Sequence, residues 1–574
     1  MTNYSTPGVY VQEISTLPPS VAQVSTAVPA FIGFTEKGEA NQPVRISSML
    51  EFQTIFGSYY PAEFSVSVVT DNVTGVKSIG TVNRTSANDF HLYYCMRHFF
   101  DNGGGSCYVV SLGAFGKRNG NTSETVFTAA LDVIRQLDEP TLLVFPDALF
   151  LSDAKYYSVV NAALEQCMEL QDRFTIIDVD GDANELKTGT KFRNASLTTE
   201  YLKYGAAYTP YLNTSYSYGF SDSGVTINEI AVNEKGSAIL EINKANGVKI
   251  EVSFNGEKPA DAALPQAQIS ESGSANANLP KIEITQNNKL TITVQKLDTA
   301  DATKGNTIAQ VKTAWLNMGL AARQNFELRF IGDETAKVSA VTLVSLEFPG
   351  KLKDVPLDNS AIKENNSALY NQIRARLGQE LVTLPPSAAM AGVYARVDRD
   401  RGVWKAPANV SLASVIGPSV IISNEEQGRL NIDPTSGKSI NCIRSFTGKG
   451  TLVWGARTLA GNDNEWRYIN VRRLFITIEE SVEKASAFAV FEPNDASTWL
   501  KVKAMIDNYL YGLWQQGALA GPTPESSYFV NIGLGKTMTT ENILNGYMIV
   551  EVGIAAVRPA EFIVLRFSHK LQEA

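Results

Sequence analysis

His91, Cys95 and His98 stand at intervals of four and three, so a helix would carry all three on one face, where imidazole nitrogens and a thiolate can hold zinc. Cys107 would have to complete the set, and no closed zinc spacing marks it. Ordinary helix residues are therefore the expectation. Asp178, Asp180 and Asp182 open like a calcium loop, but Ala183 stands where the turn needs glycine and Gly189 where a bidentate glutamate must close. A solvated turn after a strand is expected instead. Gly103, Gly104 and Gly105 offer backbone N–H groups to a phosphate, yet the order is helix, glycine turn, strand, the reverse of a phosphate loop. Arg396, Asp398, Arg399, Asp400 and Arg401 form a charge cluster with no paired nucleophile or metal set, which favours a structural network. Ser439 and Cys442 have no identifiable base. The expectation is a protein without catalytic, cofactor-binding or metal residues, and so not an enzyme.

Bulk properties agree. Over 574 residues, 50 basic side chains face 59 acidic ones, a formal charge of −9 too modest for a polyanion-binding surface. Nucleic acid is not an expected partner. Hydrophobic residues make up 44% of the chain, enough for several cores. Four scattered cysteines suggest synthesis in a reducing compartment and form no disulfide framework. The N-terminus lacks a basic region followed by an apolar run, and no 18-residue apolar segment follows, so neither secretory targeting nor membrane insertion is expected.

The elements that would position these residues read in order. Gly8 to Ile14, introduced by Pro7, is a strand candidate, and the Pro/Ser/Thr-rich stretch to Pro29 can span up to about 50 Å if extended. PAFIGF is the first strand of the body, and Phe52, Ile55 and Phe56 are core candidates. A helix carrying Leu92, Met96 and Phe99 leads through the glycine turn into the strand CYVVSL. A helix through Val126, Ala130 and Ile134, the strand TLLVFP, a helix through Tyr156, Val160 and Leu164, and the strand FTIIDV follow. Apolar strands separated by amphipathic helices predict an α/β layer on a largely parallel sheet. Between about Ser221 and Pro349 short alternating runs with Asn-Gly and Asn-Asn turns predict hairpins, and TAWLNMGLAARQ a helical element. ALYNQIRARLG then reads as a helix, and SINCIRSFTGKGTLVWGARTLA as two strands joined by a glycine turn.

From Trp466 the pattern is sharpest. Val471, Leu474, Phe475, Ile478, Val482 and Ala485 recur at helical spacing. Asn494 or Asp495 caps a second helix whose Trp499, Val502, Ile506, Tyr509, Leu510 and Leu513 share one arc. Two apolar runs, Tyr547 to Gly553 and Glu561 to Phe567, read as short strands, the second almost at the chain end.

These words carry a resemblance. NVRRLFITIEESVEKASAFAVFEPNDASTW, LWQQGALAG, YFVNIGLGKTMTTENILNGYMIVEVGIAAVRPAEFIVLRF and VYARVDRDRGVWKAPAN closely resemble the tail sheath proteins of contractile phages and contractile injection systems. The fold class expected is α/β: a multidomain contractile-sheath subunit with an α/β core, an inserted β-rich outer domain and terminal strand arms. The expected boundaries are 1–29 for the N-terminal strand arm and linker, 30–220 for the α/β sheath domain, 221–349 for the inserted outer domain, 350–545 for the resumed core and 546–574 for the C-terminal strands and arm. The resemblance implies arms that join a neighbour's sheet, at Val9, Tyr10, Val11 and Ile14 and at Phe562, Ile563, Val564, Leu565 and Phe567. It also implies a tube-gripping helix, for which Lys501, opposite the apolar arc, and Lys503, at its flank, are the tube-facing candidates.

The implied partners are further copies of the chain, an inner tube protein, and baseplate and tail-terminator proteins, without cofactor, nucleic acid or direct membrane insertion. Assembly is expected in the cytoplasm, and the mature particle would be a phage virion, an extracellular injection particle or a cell-associated machine. The alternatives are a type VI-like intracellular sheath, or an outer β domain acting as a glycan or cell-surface binding module.

Overall fold

The computed structural model describes residues 20–565, apart from 72–75, 87–89, 118–122, 233–234, 256–263, 274–277, 299, 302 and 349–352. The arm positions Val9, Tyr10, Val11, Ile14 and Phe567 lie outside the described residues. The chain divides into two compact units, one of Met1–Tyr60, Asn88–Ser217 and Leu381–Ala574, the other of Pro61–Ala87 and Tyr218–Glu380.

The first unit is built on a nine-stranded sheet. Its strands are β1 (Pro29–Thr35), β2 (Pro43–Ile46), β3 (Cys107–Ala114), β4 (Leu142–Val144), β5 (Phe174–Asp178), β6 (Gly205–Thr209), β7 (Val410–Ser411), β8 (Ile440–Phe446) and β9 (Gly450–Val453), in the order β2-β3-β1-β4-β5-β6-β8-β9-β7. The stretch from β3 to β8 is parallel throughout, and the flanking pairs β2–β3, β8–β9 and β9–β7 are antiparallel. β1, β4, β5 and β6 are buried at every position. That is why they read as continuous apolar runs rather than alternating ones. The helices α1 (Leu92–Asp101), α2 (Thr125–Arg135) and α3 (Asp153–Leu170) are the amphipathic connections the sequence predicts. Phe52 and Phe56 are core residues, whereas Ile55 is exposed. α4 (Ser387–Arg401) buries its small residues Ala388, Ala389, Ala391 and Gly392, which permits close approach: a Cβ on Gly392 would come within 2.5 Å of the Phe99 carbonyl of α1.

At the C-terminal side of this unit, α5 (Ile469–Ser486) and α6 (Ala496–Gln515) pack with the two-stranded sheet β10 (Tyr528–Ile532) and β11 (Val550–Ile554). Asp495 caps α6, its Oδ1 accepting from the N–H groups of Ser497 and Thr498 at 3.0 Å each. Val502, Ile506, Leu510 and Leu513 are buried as predicted, together with Met505, and Trp499 and Tyr509 are half-buried. The strand pairing differs from expectation. The run from Tyr547 pairs only over Val550–Ile554, and its partner is Tyr528–Ile532, which the glycine- and serine-rich surroundings disguise as loop. Glu561 to Leu565 belongs to no strand among the described residues.

In the second unit, Ala62–Asp71 and Lys77–Arg84 form an antiparallel pair, and the first of these strands runs parallel to Phe220–Val232 with Val66 opposite Ile227. This pairing gathers residues 61–87, placed within the α/β portion by sequence order, with the later β-rich segment. Leu369, Ile373 and Leu377 of the helix Ser367–Leu377 complete that core. A separate apolar cluster holds Lys235–Asn243 against Val248–Asn255, and Lys281–Thr285 against Lys289–Gln295, the two predicted hairpins. The helix Ile308–Asn317, closed by a Thr307/Gln310 capping box, packs Val311 and Trp315 into the same cluster.

Candidate functional site

Each chemistry-bearing pattern resolves into a structural contact. His98 is buried, with Nε2 3.2 Å from the Ala413 carbonyl, and burial pushes its imidazole down to about 4, so it is neutral. Cys95 and Cys107 are buried, and burial raises both thiols far from the reactive range. Among the described residues no group of three His, Cys, Asp or Glu side chains is placed to hold a metal ion. In the acidic loop, Asp180 accepts from the Tyr211 hydroxyl at 2.7 Å, Asp182 accepts from the N–H groups of Asn184 and Glu185, and Glu185 turns inward to accept from Lys191 and Phe192 N–H groups. The oxygens close turns and helix ends rather than converging on an ion. Gly103 has φ +100 and sits against Arg396, 2.9 Å from where a Cβ would be.

The sheet itself could have offered a ligand crevice. β1 is flanked by β3 on one side and β4 on the other, so the order reverses there, and open α/β sheets bind ligands at the carboxyl ends of strands around such a point. Asp147, just after β4, fills it: its carboxylate accepts from Phe34 N at 2.8 Å, His91 N at 2.6 Å and Leu92 N at 3.2 Å. The positive end of α1 is thereby neutralised from within. Nothing in the spacing around LLVFPD singles out this aspartate.

Asp178 ends β5 and is buried, its Oδ1 accepting from Ser387 N at 2.7 Å at the start of α4, with Ser387 Oγ on its other oxygen. Burial pushes its carboxyl up to about 7, against the opposing pull of the Ser387 hydrogen bonds. A raised folded value favours the protonated folded state, so this stabilisation is fully present below about pH 4 and is lost as pH rises through about 7. Between pH 5 and pH 8 the loss is at most about 3 kcal/mol. Urea unfolding at those two pH values is expected to show a decline that Asp178→Asn flattens. An unchanged difference in the variant would remove Asp178 as its source.

The charge cluster has the structural role expected of it. Asp398 and Arg473, 5% and 4% exposed at their side chains, form a two-pronged ion pair between α4 and α5. Arg472 beside it lies over the Tyr204 and Trp466 rings at 4.8 and 4.4 Å and reaches Glu479. Helical spacing gives α5 an apolar face but not these buried arginines.

Exposed apolar residues stand in succession near the C-terminal limit of the described residues and on one face of α6. Phe562, Ile563, Val564 and Leu565 are 70–79% exposed in succession. On α6 the outer face carries exposed Leu500, Lys501 and Tyr511, and Lys501 makes no hydrogen bond or ion pair among the described residues. Lys503 is engaged internally, donating to the Val530 carbonyl at 2.6 Å and pairing with Asp507 at 3.1 Å. In the second unit an open groove of about 860 Å³ is lined by Lys235, Glu251, Lys312, Trp315, Glu327 and Arg329. Its charges pair with one another, Lys235 with Glu327 and Arg329 with Glu251, and Trp315 is only 3% exposed.

Packed cores, internally consumed polar groups and an exposed apolar run near the C-terminus are features of a subunit built for assembly. The family model for the phage tail sheath C-terminal domain matches residues 461–570. The chain is 27% identical over 136 residues to the tail sheath protein of Vibrio phage KVP40, covering 24% of this chain and 20% of that protein. It is 31% identical over 142 residues to the tail sheath protein of Burkholderia phage BcepMu, covering 24% and 29%. The matched stretch thus spans less than a third of either curated relative. Two solved structures align along nearly the whole chain at 27% identity and a TM-score of 0.54. These are the sheath complex of an extracellular contractile injection system, PVC, in the contracted state (99% of both chains), and the contracted helical sheath of the anti-feeding prophage (99% and 100%). Residues 461–570 thus carry the tail sheath C-terminal domain, and along nearly its whole length the chain is similar to subunits of contractile sheaths.

Proposed function

We propose that many copies of this chain polymerise around an inner tube and pass from an extended to a wider contracted packing, driving the tube through a target envelope. The observation that carries this reading is the exposed run Phe562 to Leu565, a β-prone apolar sequence with no partner strand among the described residues, suited to completing a neighbour's sheet. Residues 9–14 supply the corresponding N-terminal arm. Assembly traps a higher-energy packing, and triggering at one end releases the difference in interface free energy while the arms keep neighbours connected. No nucleotide is consumed in such a stroke.

The outer face of α6 then meets the tube. Lys501, free and exposed, is the tube-facing charge, while Lys503 is held by Val530 and Asp507. Baseplate and terminator proteins close the two ends of the polymer, which is built in the cytoplasm and acts as part of a released or cell-associated particle. The long alignments to the sheaths of an extracellular contractile injection system and of the anti-feeding prophage favour an injection particle over a phage virion.

Electron microscopy of the purified chain, alone and with its tube and baseplate, tests the reading. Long hollow cylinders are expected, and Lys501→Glu is expected to weaken co-assembly with the tube in a salt-dependent way. A chain that stays monomeric even with its tube and baseplate would overturn the proposal.

A further inference from the structure

The last ordered contact before the exposed run is a dense knot of polar bonds. Glu561 receives the Arg457 guanidinium on both oxygens, Nε at 3.0 and 3.2 Å and Nη2 at 2.6 Å. Asn431 Nδ2 donates to it at 2.7 Å and the Tyr468 hydroxyl at 3.3 Å. Arg457 is 3% exposed, and its Nη1 also reaches the carbonyls of Asn431 and Gly461. Its backbone is clamped on both sides by one side chain: Arg457 N donates to Asn441 Oδ1, and Asn441 Nδ2 donates to the Arg457 carbonyl, each at 2.8 Å. Asn441 lies in β8 and donates to the Ala207 carbonyl of β6 as well, at 3.1 Å. A continuous path of short polar bonds therefore leads from Glu561 into the nine-stranded sheet. Phe562 to Leu565, which follow, are exposed and pair with no strand among the described residues.

We propose that Glu561 and Arg457 are the mechanical anchor of the C-terminal arm, fixing where the free arm begins and passing tension on it into the sheet of its own subunit. The proposal rests on the reading of the arm as an exchanged strand. Two-pronged, charge-assisted pairs suit this task because they resist rotation as well as separation.

The same geometry links the two arms. α5 begins beside the anchor, with Tyr468 at its N-cap touching Glu561 and Asn470 Nδ2 donating to the Val557 carbonyl at 3.1 Å. Further along, α5 holds the root of the N-terminal segment, Arg473 Nη2 in its second turn donating to the Thr26 carbonyl at 2.8 Å and Ser481 Oγ, towards its other end, accepting from Val24 N at 3.1 Å. From Asn470 to Ser481 a helix rises only about 16 Å. One rigid helix thus joins both roots, so displacement of one arm root is felt at the other.

Three full-length chains, wild type, Glu561→Ala and Glu561→Gln, are compared with a chain ending at Glu561, by hydrogen exchange of the free subunit and by electron microscopy of assembled sheaths. For Glu561→Ala, exchange across residues 555–565 is expected to rise at least tenfold with the sheet amides unchanged, and sheaths to shorten at least twofold. Glu561→Gln, which keeps one acceptor oxygen, is expected to fall between it and wild type, and it carries the test if the alanine chain folds poorly. If the shortened chain makes no sheath while both Glu561 variants match wild type in exchange and length, the anchor is overturned and the exchanged arm stands. If the shortened chain itself makes normal sheaths, the exchanged arm is overturned and the anchor with it.

Discussion

A chain ending at Glu561 is expected to fold as the full chain does and to form no continuous sheath. Ending at that residue, rather than before it, leaves the Arg457 ion pair intact, and of the described residues the cut removes only the exposed Phe562 to Leu565. In the polymer the loss is large. Each strand hydrogen bond contributes about 0.5–1.5 kcal/mol net and each buried large apolar side chain about 1.5–3 kcal/mol. Losing even about 5 kcal/mol per junction lowers the association constant by more than three orders of magnitude. Circular dichroism of the shortened chain should match the full chain while electron micrographs show rings or monomers. Deleting residues 1–14 is expected to act in the same way from the other end. Normal contractile sheaths after both deletions would contradict the exchanged-arm reading.

Replacing Asp398 with alanine is expected to be the most destabilising single change in the first unit. It leaves the guanidinium of Arg473 buried between α4 and α5 with the Tyr394 ring, 4.6 Å away, and the Thr26 carbonyl as its remaining neighbours. An uncompensated buried charge costs about 3–5 kcal/mol, a fall in melting temperature on the order of 10 °C. A joint Asp398→Leu, Arg473→Met change should recover much of the loss, because the burial penalty of both ions disappears with the pair. It would not restore the bond to Thr26, so assembly should recover less than thermal stability. A melting temperature within about 2 °C of wild type for Asp398→Ala would show that the pair contributes little.

The parallel sheet was legible because a strand covered on both faces must be apolar throughout, and FTIIDV and CYVVSL are short enough to separate cleanly from the helices beside them. α6 was legible because cap, arc and end signals coincide over twenty residues. α5 was only half legible. Its apolar positions repeat every turn, but Arg473 is buried by a partner 75 residues earlier in the chain, and no local period encodes that distance. The strand Ala62–Asp71 has clear alternation, yet its parallel neighbour Phe220–Val232 lies more than 150 positions away, so the domain boundary it creates is invisible to a reading in chain order. Residues 561–565 show the opposite case. Their β-branched, apolar character reads as a strand, and among the described residues they pair with none. Asp147 gave no signal because its role is set by three N–H groups from two other segments.

The most direct measurement is a high-resolution cryo-electron microscopy map of the assembled polymer, traced through residues 555–574 of each subunit. The account predicts that each chain stays pinned at Glu561 to its own Arg457, and that Phe562 to Leu565 leave the subunit to pair as a strand with the sheet of a neighbouring copy. A polymer in which Phe562 to Leu565 fold back onto their own subunit, with no strand passing between copies, would contradict it.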